Sequence, residues 1–225
     1  MDSVGNIGPV VNSTATIYDT VAPIINAVSI NSGDGYTKVV SNTVRVTFSD
    51  ATSGVTSIAL SGDIDSAEQT SYAVSAEDRT NGYKDFTISL DGADGTKTVF
   101  ATATDFAGNT SSSAFDSIVL DTTAATGTLV LRKADDSANL PAYINYTNYA
   151  AAIETTDTDI VGYKIWSLHV QRGTNVDSYE PANWTPVTQD PTDPRILIEN
   201  QTLNGEGTVT VFVKLLDIAG NVTSL

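Results

Sequence analysis

A five-residue phrase returns along this chain: Asp2-Ser3-Val4-Gly5-Asn6, Asp105-Phe106-Ala107-Gly108-Asn109 and Asp217-Ile218-Ala219-Gly220-Asn221. The first two copies are followed, after a polar stretch, by Asp19-Thr20 and Asp121-Thr122. A phrase recurring about every hundred residues is an internal repeat. A repeat constrains the fold more than any local signal, because each unit has to be the same piece of structure. The third copy lies close to Leu225 with no Asp-Thr after it, so the sequence reads as a length cut from a longer array. Such an organisation points to a structural or adhesive task and away from an active site.

Between the phrases the texture is that of strands. Val44, Val46 and Phe48 alternate with Thr43, Arg45 and Thr47, and Phe86, Ile88 and Leu90 flank Thr87 and Ser89. Val209, Val211, Val213 and Leu215 form a similar stripe. Period-two alternation puts each set on one face of an extended strand. No apolar period of helical length is sustained. Several short strands separated by turn residues within each repeat predict a β-sandwich. The segment Gly95–Asp105 also aligns without a gap on Gly207–Asp217, and both run straight into the phrase.

These motifs carry a family resemblance. An Asp-Thr-x-Ala-Pro opening (Asp19–Pro23), Ser53-Gly54-Val55 after the second strand, a Gly-Thr-x-Thr-Val strand from Gly95 and the Asp-x-Ala-Gly-Asn phrase resemble the bacterial immunoglobulin-like repeats. Such repeats occur in large surface adhesins, S-layer and cell-wall proteins, and phage tail or capsid accessory proteins. The resemblance covers about residues 19–225 and implies an all-β chain of two tandem immunoglobulin-like β-sandwiches, 19–120 and 121–225. Residues 1–18 are then the C-terminal strand of a preceding repeat, or a tail. Expected strands in the first unit lie near 23–30, 40–48, 55–60, 83–90, 96–104 and 111–120. In the second they lie near 126–132, 143–153, 160–168, 195–199 and 208–216.

The second unit departs from the pattern. Ala125 replaces the opening proline. The stretch 170–194 carries Trp184 and four prolines, Pro181, Pro186, Pro191 and Pro194, and reads as an excursion outside the sheets. The unit lacks its own last strand, while residues 8–18 are a spare one. That spare segment is either a frayed tail or a head-to-tail partner for another copy by strand addition.

In the implied fold, with the expected strands lettered A, B, C, E, F and G in the order given above, the start of strand A, the B–C loop and the F–G loop meet at one end. The first unit gathers Asp19, Asp50 and Asp105 there, with Asn109; the second gathers Asp121, Asp157, Asp159 and Asp217, with Asn221. Converging carboxylates repel one another unless a cation or a proton intervenes, and hard oxygen ligands of this kind suit calcium. The competing reading makes each phrase a turn signature, with Asp bonding its own backbone and Gly supplying a positive φ.

Composition narrows the rest. The 27 acids against 11 bases give a net charge of −16, which argues against nucleic acid and anionic membranes as partners. There is no cysteine, hence no disulfide framework, and no apolar run of membrane-spanning length. The single histidine, His169, is expected to be a surface or satisfied residue and not a catalyst. Trp166 is expected in the core. Trp184, with Tyr179 nearby, either stacks on a sugar or receptor or folds back as a plug.

The expected function is a non-enzymatic spacer or stalk in an extracellular cell-surface protein, touching neighbouring Ig-like repeats of its own chain, with calcium stiffening the joints. The alternatives are a module binding a glycan or protein receptor through the inserted loop, and a fibre module at a virion surface.

Overall fold

The computed structural model describes Val4, residues 15–68, 70–171, 174–177, 180–190, 192–193, 195–203 and 206–225. The chain divides into two compact units. The first holds the described residues up to Gly33, Ser41–Asp91 and Lys97–Ser117; the second holds Asp34–Val40, Gly92–Thr96 and Ile118–Leu225.

In the first half of the chain the elements are β1 (Ile24–Ile30), β2 (Tyr36–Thr37), β3 (Ser41–Ser49), β4 (Val55–Gly62), β5 (Ser71–Ala73), α1 (Ala76–Asn81), β6 (Tyr83–Ser89), β7 (Gly95–Asp105) and β8 (Ala114–Leu120). They make a three-stranded sheet β1-β3-β6 and a five-stranded sheet β2-β8-β7-β4-β5. The alternation seen in the sequence is the burial pattern. Val44, Val46 and Phe48 of β3 and Phe86 and Ile88 of β6 are buried, as are Ile58 and Leu60 of β4. The Tyr72 ring meets that of Phe86 edge-on at 4.8 Å, linking the inner faces of the two sheets.

The second half supplies β9 (Thr128–Lys133), β10 (Asn148–Glu154), β11 (Ile160–Gln171), β12 (Thr174–Asp177), β13 (Thr185–Pro186), β14 (Ile196–Thr202), β15 (Thr208–Asp217) and β16 (Val222–Ser224). Again a three-stranded sheet, β14-β10-β9, accompanies a larger one, β12-β11-β15-β16, with β13 beside β11. Tyr149, Ala151 and Ile153 of β10 and Ile196 and Ile198 of β14 pack with Ile160, Val213 and Leu215 of the other sheet in one core. The fold is all-β.

Three sequence expectations change. The second unit does carry a last strand, the three-residue β16, paired with Lys214–Leu216 of β15. The stretch 170–194 is not wholly outside the sheets: β12 pairs antiparallel with β11, and β13 pairs Pro186 with Gly162 at the sheet's edge. Proline is tolerated there because an edge strand has amides that need no partner within the sheet. Trp166 lies outside the core, on the outer face of β11, where its ring stacks on Phe212 at 5.4 Å. The cause is a register shift between Ile160 and Gly162 that reverses which residues of β11 face inward, so Tyr163 and Ile165 pack on the core instead. α1 was not foreseen. It stands on its caps, the Ser75 hydroxyl accepting from Asp78 N–H and the Asp78 carboxylate accepting from Ser75 N–H, and it buries nothing.

Gly207 opens β15 at φ +134°, and a Cβ there would lie 2.3 Å from the Val170 carbonyl oxygen of the paired strand. Gly207→Ala is therefore expected to cost about 2–4 kcal/mol, by combining backbone strain with overpacking. Gly92, with nothing within 4 Å, is the control whose change to Ala shifts stability by less than about 0.5 kcal/mol. Parallel thermal melts of the two variants check this.

Candidate functional site

The second and third copies of the phrase share the backbone hydrogen bonds of one turn. Each closes β7 or β15 with an aspartate whose carboxylate caps the following turn. Asn109 N–H donates to Asp105 Oδ1 at 2.8 Å, and Asn221 N–H donates to Asp217 Oδ1 at 2.8 Å. The Asp105 N–H donates to the Asn109 carbonyl, and the Asp217 N–H to the Asn221 carbonyl. Gly108 and Gly220 take φ of 92° and 89°, the left-handed region that a side chain resists. The turn signature expected from the sequence is thus present in both units.

The same turns gather carboxylates. Asp19, Asp50 and Asp105 bring one oxygen each within 4.8 Å of one another, and Asp121, Asp159 and Asp217 do the same in the second unit. The placement has a common cause. Asp105 and Asp217 are the last residues of their strands, and both pair across from the residue at which a register shift interrupts the partner strand, Val55 or Ile160. Such bulges re-aim side chains at sheet ends. The buried aspartates, each 1% exposed, then face the Asp opening the unit and the Asp of the B–C loop.

The trios differ in how their oxygens are used. In the first unit, Asp19 accepts from Val21 and Ser53 N–H, and Asp50 accepts from Thr52 and Gly54 N–H. Asp105 Oδ2 accepts from the Asn109 amide at 2.8 Å, and that amide also reaches the Asp19 carbonyl at 3.3 Å. In the second unit, Asp121 accepts from Thr123 N–H. The Asn221 amide, however, donates to the Asp121 carbonyl at 2.9 Å, and Asp217 Oδ2 is left buried without a hydrogen-bond partner. A buried acceptor without a partner is costly, and a charged one more so. The donor set here is all hard oxygen, which fits a divalent cation of the calcium type.

Proton affinities separate the trios in the same way. The Ser53 hydroxyl, followed by the Val21 and Ser53 amides, holds the Asp19 carboxyl below its ordinary value. Burial pushes Asp105 up, but the Asn109 side chain and backbone and the Gly108 and Ala107 amides together outweigh it, leaving a lowered value. Asp159 moves the other way, raised by burial and by the charges of Asp217, Asp121 and Asp157.

The other sequence candidates fall elsewhere. Asp157 stands apart from the second trio: its Oδ2 accepts from the Thr126 hydroxyl and N–H, which ties the B–C loop to the start of β9. Trp184 is half-buried against Gly162 with Lys164 Nζ 4.9 Å from its ring, so it lies back on the sheet; Glu180 bridges Lys164 and Lys214 beside it. Tyr179 and the spare segment 8–14 lie outside the described residues, and residues 15–18 form no strand. His169 is buried, with its Nε2 2.8 Å from the Glu206 carbonyl and its Nδ1 without a partner. No helix among the described residues is long and apolar enough to cross a membrane.

No protein-family model matches the chain, and no curated protein does. Among solved structures, it is similar to a tetra-tandem repeat in the extending region of a large adhesion protein, at 19% identity over 88% of this chain with a TM-score of 0.33. It covers 46% of that chain, so it spans less than half of its length. It is also similar to the fibronectin(III)-like modules of Clostridium thermocellum CbhA, at 14% identity over 88% of this chain and 91% of that one, with a TM-score of 0.36. Likeness at this level assigns neither a family nor a function.

Proposed function

We propose that this chain is a non-enzymatic spacer of a repetitive extracellular surface protein, and that calcium held by the acidic trio of its second unit stiffens it. The observation that carries the reading is the double use of one phrase. The repeat builds the same acid-bearing turn twice, and in the second unit a buried carboxylate oxygen, Asp217 Oδ2, has no protein donor. Few ligands and a partly open site suit the weak end of calcium affinities, about 10⁻⁴–10⁻³ M, which is the range of extracellular modules. Such a site fits a surface location, where calcium is abundant enough to fill it.

Calorimetric titration of calcium into the chelator-treated chain tests the reading. Saturable binding at one site is expected, and Asp217→Asn is expected to remove it. Small-angle scattering of the same samples is expected to show a narrower distribution of distances with calcium. Absence of binding heat, together with an unchanged scattering profile in calcium and chelator, assigns both phrases to turn geometry alone.

A further inference from the structure

The inserted stretch of the second unit runs back along β11 toward the acidic trio, and its contacts form a continuous series. β13 pairs Thr185 with Tyr163 and Pro186 with Gly162. One step further, Val187 N–H donates to the Val161 carbonyl at 3.0 Å, and the Val187 side chain packs on the core. The series ends on a side chain. Gln189 Oε1 accepts from Ile160 N–H at 3.0 Å, and Gln189 Nε2 donates to the Asp157 carbonyl at 2.7 Å. One amide group thus holds the backbone on both sides of Asp159. The Asp159 carbonyl in turn accepts from Ile218 N–H at 2.9 Å, which ties the loop to the third copy of the phrase.

The first unit closes the same loop by other means. Val55 and Ile160 occupy matching places, each paired with the aspartate that ends the neighbouring strand, so Gly54 holds the position of Asp159. Its carbonyl accepts from Phe106 N–H at 3.1 Å, as that of Asp159 does from Ile218. The loop carboxylate there, Asp50, is engaged by Thr52 and Gly54 N–H and so closes its own loop. In the second unit the acid has moved to the end of the loop, next to Asp217, and Gln189 from the inserted stretch holds the backbone that carries it. A ligand whose backbone is already ordered loses less freedom on binding, and outer groups that orient ligands are worth about 10–100-fold in metal affinity. We propose that Gln189 is the positioning residue of this trio, and that through it calcium binding and the seating of the inserted stretch on β11 strengthen one another. The coupling rests on the calcium reading of the second trio, and reciprocity fixes its size: whatever factor Gln189 adds to calcium affinity, calcium adds to the seating of the stretch.

Calorimetric calcium titration and site-resolved amide exchange, both on the full chain, test this. In the parent, saturating calcium is expected to slow exchange of the Ile160 and Val187 amides by about ten-fold or more. Gln189→Ala is expected to weaken calcium binding by about ten-fold or more and to abolish the calcium-dependent protection of Val187, whose own bond to Val161 the substitution does not touch. Gly207→Ala, which weakens the same unit at the far end of β15, controls for a merely structural effect. At a temperature where circular dichroism shows both variants folded, it is expected to keep the parent's affinity and protection. Equal calcium affinity in Gln189→Ala and the parent overturns the role of Gln189 and leaves the calcium reading standing. An equally large loss in Gly207→Ala also overturns it, because destabilisation alone would then suffice. A parent that binds no calcium overturns both readings.

Discussion

Calcium added to the chelated protein at about 100 times its dissociation constant is expected to raise the melting temperature of the second unit by roughly 10–20 °C. A ligand that binds only the folded state at about 100 times its dissociation constant adds about 2.7 kcal/mol. For a domain of this size, each kcal/mol moves the midpoint by about 4–8 °C. Asp159→Asn should separate this effect from any general action of salt. In the ion-free protein, burial and the charges of Asp217, Asp121 and Asp157 disfavour the Asp159 carboxylate. Removing that charge is therefore expected to raise the melting temperature in chelator while abolishing most of the rise with calcium. An Asn variant that is destabilised in chelator, or that still responds fully, would sink the assignment of Asp159 as a ligand.

Acid gives a second view of the same asymmetry. A carboxyl raised in the folded state binds its proton more tightly there than in the unfolded chain, so falling pH stabilises the fold as it passes the folded value. Asp159 thus makes the chelated second unit firmer as pH drops from neutral toward the carboxylate range. Asp19 and Asp105 are lowered, so their contribution is present above the ordinary carboxylate value and is lost as pH falls through their folded values. In the second unit the lowered Asp135, Glu180 and Asp190 pull the same way as Asp19 and Asp105, so the opposing contribution of Asp159 is read as the difference in acid response between the parent and Asp159→Asn in chelator.

Much of this was visible in the sequence, for identifiable reasons. The trios follow from a repeated phrase and a fold that returns three chain segments to one end, so six of the seven aspartates expected there do meet. Asp157 could not be separated from Asp159 by spacing, because both sit in the same loop and only the Thr126 contacts tell them apart. Strand faces were read well wherever alternation ran unbroken, as in Val44–Phe48. Trp166 was placed wrongly since one extra residue near Ile160 reverses the alternation and leaves no mark in composition. α1 had no apolar stripe to show, and the prolines of the inserted stretch hid a sheet edge that tolerates Pro186.

Asp105→Ala is expected to lower the melting temperature of the first unit by roughly 10 °C or more, equally in calcium and in chelator. Its carboxylate takes the Asn109 N–H on one oxygen and the Asn109 amide on the other, and the residue is 1% exposed. Truncation strands those donors in a space where water does not replace the lost acceptor, and it frees the amide that also holds the Asp19 carbonyl. Asp217→Ala breaks the equivalent bond to Asn221 N–H, but it also removes the one oxygen that had no partner. In chelator its cost should therefore be clearly smaller than that of Asp105→Ala, and the gap should narrow or reverse once calcium stabilises the parent. Equal losses for the two variants under both conditions would mean that the Asn221 amide bonds Asp217 after all, and that the phrase does the same work in each repeat. Unequal losses of the expected sign would mean that one turn motif has been divided between two tasks: a self-sufficient cap in the first unit, and in the second a cap that leaves an oxygen for an ion.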